Sequence, residues 1–104
     1  MQSEEPSLGD VLDALIEEAA DVETLVDREY SRNGVAFTVR PEEDVVELRL
    51  GDEIAEAALR TPETGPSTRG PAWVRFAPAN WDEMAFDRVE AWFRVAWRMA
   101  AGGR

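Results

Sequence analysis

The chain has 104 residues and a formal net charge of −11, with no histidine, cysteine or lysine; all eleven basic residues are arginine. That length builds one domain with one core. The missing residue types exclude a Ser-His-Asp triad, a Cys-His pair, a histidine or cysteine zinc site and a lysine nucleophile. What remains for chemistry is carboxylates, hydroxyls, one tyrosine, arginines and four tryptophans.

The charge is uneven. Residues 1–29 hold ten acids against Arg28 alone, a segment of −9, and the remainder is −2. A duplex or single strand of phosphates needs a basic stripe, so nucleic acid is disfavoured as a partner. Arginine without lysine also fits a high-salt habitat or a GC-rich genome, and an acidic helix that binds or mimics for a basic partner stays open beside these. No apolar run has membrane-spanning length, and the acidic start is unlike a secretory signal, so a cytoplasmic protein without membrane association is expected. An acidic N-terminus over 1–7, a single domain over 8–101 and a tail over 102–104 are expected.

Ser7, with Asp10 three residues on, predicts a capped helix over Leu8–Ala20. Leu8, Leu12, Leu15 and Ala19 form its apolar stripe, while Asp13, Glu17 and Glu18 face outward. Residues 21–30 read as helix or strand; a strand from about Thr24 is favoured because a turn signal, Asn33-Gly34, follows. Val35, Phe37 and Val39 then alternate with Ala36, Thr38 and Arg40 as a half-buried strand. Pro41–Asp44 reads as a turn. Val46, Leu48 and Leu50 alternate with Val45, Glu47 and Arg49 in a third strand.

Asp52 is the expected cap of a short helix to Arg60. Residues 61–71 contain three prolines and two glycines and read as a loop without regular structure. Ala72–Phe76 is the fourth strand. Asn80, with Glu83 three residues on, predicts a long helix over Trp81–Ala101. The expected fold is α+β, in the order α-β-β-β-α-β-α, with a four-stranded, mainly antiparallel sheet.

The last helix is unusual. Glu83, Asp87, Glu90, Arg94 and Arg98 form one narrow polar strip, acids first and arginines last, as the helix dipole favours. The rest of its circumference is apolar apart from Arg88, wider than one sheet requires. Phe86, Trp92, Phe93 and Trp97 are therefore candidate interface residues, covered by the first helix or by a second copy.

Arg75 lies in an apolar strand on the same face as Trp73. An arginine beside a tryptophan can stack or grip an anion. With Thr68 and Arg69 in the 61–71 segment, these are the candidate ligand-binding residues. The carboxylate groups Asp10/Asp13/Glu17 and Glu53/Glu56 match no calcium-loop pattern. No catalytic residue, metal or cofactor is assigned.

Val45-Val46-Glu47-Leu48-Arg49-Leu50, Glu56-Ala57-Ala58-Leu59, Gly70-Pro71-Ala72-Trp73-Val74-Arg75-Phe76 and the final helix resemble the small bacterial "luciferase domain" family over residues 8–101. More distantly they resemble the MmcQ/YjbR group of small α+β proteins, whose label implies DNA binding. The first family carries histidines before its Val-Glu-Leu segment, where this chain has Arg40-Pro41-Glu42-Glu43-Asp44. The leading functional expectation is a non-enzymatic protein-interaction module that self-associates through the Trp-rich helix. A small anionic or aromatic ligand held at Trp73, Arg75 and 61–71 is the alternative.

Overall fold

A computed structural model describes residues 7–25 and 28–101. The elements are α1 (Leu8–Glu18), β1 (Val22–Leu25), β2 (Glu29–Arg32), β3 (Val35–Glu42), β4 (Val45–Arg49), α2 (Asp52–Ala58), β5 (Thr64–Ser67), β6 (Gly70–Phe76) and α3 (Glu83–Ala101). The fold is α+β, as expected. The sheet, however, has six strands and not four, in the order β1-β2-β3-β4-β6-β5, with every neighbouring pair antiparallel.

Two corrections account for the extra strands. The strand expected from Thr24 to Tyr30 is two strands, β1 and β2, paired with each other through Thr24 and Tyr30. The 61–71 segment folds back as β5 onto β6, with Thr64 opposite Phe76 and Pro66 opposite Val74. Its Pro and Gly content hides a strand because β5 is an edge, where a missing N–H is tolerated. The expected terminal segments, apart from Ser7, and residues 26–27 lie outside the described residues.

Local signals explain most of the boundaries. Ser7 and Asp10 complete the capping box, each side chain accepting from the other's backbone N–H. Asn33 and Gly34 both have positive φ, 54° and 80°, the geometry of a tight hairpin turn. The turn before β4 is confined to Glu43–Asp44, since Pro41 and Glu42 belong to β3. The caps of the other helices differ from expectation. Gly51, at φ 88°, precedes α2 without a side-chain cap, and Asp52 is the first helical residue. Asp82 caps α3 by accepting from the Ala85 N–H at 2.9 Å, and the expected cap, Asn80, lies two residues earlier.

A bulge in β3 changes its pattern. Tyr30 is opposite Thr38 but Ser31 is opposite Ala36, so Phe37 is the extra residue. Phe37 and Thr38 therefore share the helix-covered face, and Val39 crosses to the other one. Phe37 meets Phe93 edge-on, with ring centroids 5.3 Å apart.

One core joins all three helices to one face of the sheet. It includes Leu8, Leu12 and Leu15 of α1, Ala55 and Ala58 of α2, Val89, Phe93 and Ala96 of α3, and Val46, Leu48, Val74 and Phe76 of the sheet. Burial of these side chains stabilises the fold by about 1.5–3 kcal/mol each for the larger ones.

Candidate functional site

The opposite face of the sheet carries no helix among the described residues. Its central row, read across the strands, is Glu29, Val39, Glu47, Arg75 and Gly65. Val39, Val45 and Ser31 are buried on this face although no helix covers them. Long side chains provide the cover.

Glu47 is the centre of that cover. Its side chain is only 7% exposed. Enclosing a carboxylate is costly unless it is paired and hydrogen-bonded. Arg69 Nε donates to Oε1 at 3.1 Å, and Arg75 Nη1 donates to Oε2 at 3.4 Å. The arginines reach further acids: Arg75 Nη2 lies 3.4 Å from Glu42 Oε2, and Arg69 Nη1 lies 3.6 Å from Glu29 Oε2. The guanidinium of Arg69 also sits 5.3 Å from the Trp73 ring centroid. The β5–β6 hairpin positions Arg69, whose backbone N–H donates to Ser67 Oγ at 3.0 Å.

Three of the four candidate ligand-binding residues, Arg69, Trp73 and Arg75, thus meet on one surface. Thr68 is exposed in the hairpin turn. The residues that sequence reasoning did not single out are Glu47, Glu29, Arg28 and Arg49. Glu47 had a usable signal: it is a lone acid in an apolar strand, matching Arg75 as a lone base in another. Arg49 is directly opposite Trp73. Its Nη1 is enclosed and has no hydrogen-bond partner among the described residues.

Beside this network is an open groove of about 420 Å³, lined by Arg28, Val39, Arg40, Pro41 and Arg69. Arg40 turns its guanidinium toward Gly9, whose missing side chain leaves room for it. Arg28 and Arg69 are therefore the charged walls, Val39 is the apolar floor, and no carboxylate lines the groove. Arg28 has φ 63°, a conformation few non-glycine residues adopt.

The candidate interface residues have other neighbours. Phe93 is 1% exposed, inside the core, and offers no surface to a second chain. Phe86 stacks on Trp81 at 5.3 Å, and Trp92 meets Phe76 edge-on at 5.4 Å. The Trp97 indole donates to the Ala20 carbonyl at 2.8 Å and carries the Arg32 guanidinium 3.7 Å above its ring. Arg32 also donates to the Trp97 carbonyl at 3.0 Å. Most of the wide apolar arc of α3 thus packs on the sheet, on α1 and on its own aromatic neighbours, while Met84 and Met99 stay exposed. The polar strip of α3 carries the expected Glu90–Arg94 pair at 2.6 Å, and Arg94 reaches Glu18 of α1 at 3.7 Å. The Glu90 hydrogen bond is the main influence holding the Arg94 pKa above its ordinary value.

Among the described residues no three acid, histidine or cysteine side chains gather as a metal site, and no helix is long and apolar enough to cross a membrane. No family profile, curated protein or solved structure matches the chain. The resemblance to the "luciferase domain" and MmcQ/YjbR groups rests on the quoted residue stretches alone.

Proposed function

We infer that this chain is a non-catalytic binding domain that takes a small anionic molecule on the helix-free face of its sheet. The observation that carries the reading is the groove whose charged lining residues are all arginines, Arg28 and Arg69 forming its walls, on a chain of net −11. An arginine fork donates in the plane of a carboxylate or phosphate. Glu47, Glu29 and Trp73 hold Arg69 in place, so little side-chain entropy is lost on binding. The groove, about 420 Å³ and open to solvent, has room for a small anion.

Self-association through the aromatic residues of α3 has less to draw on, because Phe93 is enclosed and the two indoles of the helix already have partners in the same chain. Calorimetric titration with inorganic phosphate and with benzoate tests the anion reading. Saturable binding of at least one is expected, weakened about tenfold in Arg28→Ala, whose guanidinium has no ion-pair partner among the described residues. Absence of binding by both probes, or equal binding by Arg28→Ala, would overturn it.

A further inference from the structure

We propose that the groove between α2 and the C-terminal end of α3 docks a basic, amphipathic segment of a partner protein. This site is separate from the anion groove and does not depend on it. Among the described residues, two exposed large apolar side chains, Ile54 of α2 and Met99 of α3, meet at this groove. On α3, Met84, Val95 and Met99 fall within about 60° of one another at helical spacing. They form the flank of the helix away from α1, which instead adjoins Trp97, Arg94 and Arg98.

The groove itself has a volume of about 380 Å³ and is lined by Leu50, Gly51, Asp52, Glu53, Ile54 and Met99. Its floor is apolar: Leu50 is fully buried, while Ile54 and Met99 are each 41% exposed. Gly51 makes the floor possible, since a Cβ there would lie 2.6 Å from the Met99 methyl. Methionine at such a surface adapts to the side chain that enters.

Charge selects the occupant. Both charged residues of the lining are acids at the start of α2. The nearest interruption along the flank, Arg88, is eleven residues from Met99, about 16 Å along the helix. Its guanidinium lies 6.0 Å from the rings of Phe76 and Trp92. A large apolar side chain flanked by Lys or Arg therefore complements the groove, in the manner of a helix laid into an apolar cleft. A second copy of this chain complements it poorly, because each copy brings a charge of −11.

Methyl NMR on the full chain with labelled methionine tests the proposal. The probes are a synthetic Leu/Lys amphipathic helical peptide and its Leu/Glu counterpart. The Met99 methyl signal should shift saturably with the Leu/Lys peptide and stay in place with the Leu/Glu one. Ile54→Ser and Met99→Gln should each weaken binding about tenfold, since each removes a buried apolar contact. Asp52→Asn with Glu53→Gln should weaken it further and reduce its salt dependence. Three results would each overturn the proposal: Leu/Lys binding that leaves the Met99 signal unmoved, affinity unchanged by Ile54→Ser and Met99→Gln, or a Met99 signal that moves with protein concentration alone, which would make the occupant a second copy.

Discussion

Glu47 on β4 and Arg75 on β6 face each other across the sheet, and Arg75 Nη1 reaches Glu47 Oε2 at 3.4 Å while Arg69 holds the other oxygen. The carboxylate is enclosed and its two partners are more than a third exposed, so the network is anchored from beneath and wetted from above. Glu47→Gln is expected to destabilise the fold by about 1–2 kcal/mol, because solvent screens the arginine side of each pair. Urea denaturation measures it.

Phe93 sits against Phe37 at the bulge of β3. Phe93→Ala should cost about 3–5 kcal/mol, read as a lowered denaturation midpoint. A surface interface residue would cost far less, so the size of the loss separates the two roles.

Thr38 is fully buried and its hydroxyl has no hydrogen-bond partner among the described residues. Thr38→Val keeps the shape and removes the unpaired polar atom. Stability should stay level or rise by up to about 1 kcal/mol in the same denaturation experiment. A clear loss would mean that the hydroxyl has a partner in solution.

Gly51 combines φ 88° with the close approach of Met99. Gly51→Ala should destabilise by about 1–2 kcal/mol through the backbone and the contact together. In Met99→Ala the contact disappears and only the backbone part remains, so a double-mutant cycle on thermal unfolding should show coupling between the two sites.

The legible part of this molecule was its periodic part. Leu8, Leu12 and Leu15, the Ser7 box, Asn33-Gly34 and the long α3 pattern each carry a local signal that the packing keeps. The illegible part depended on pairing. Val22–Leu25 becomes a strand only because β2 lies beside it, and Thr64–Ser67 only because β6 does. The β3 bulge is equally non-local, since nothing in Ala36-Phe37-Thr38 says which residue will be skipped.

The site divides in the same way. Trp73 and Arg75 could be placed on one face by strand alternation, and Arg69 near them by proximity along the chain. Arg28 and Glu29, at the start of β2, lie about forty residues before Arg69. Only the sheet order brings them to Arg69.

The outermost strand, β5, has a consequence for how the molecule behaves in a crowd. An open sheet ends in rows of backbone groups that another chain can extend, which is a common start of fibrous aggregation. In four residues β5 contains Gly65 and Pro66, and its hairpin places Arg69 nearby. That border is a poor template for a further strand. The same short, proline-bearing segment that holds an arginine over the helix-free face also limits runaway polymerisation from its side of the sheet.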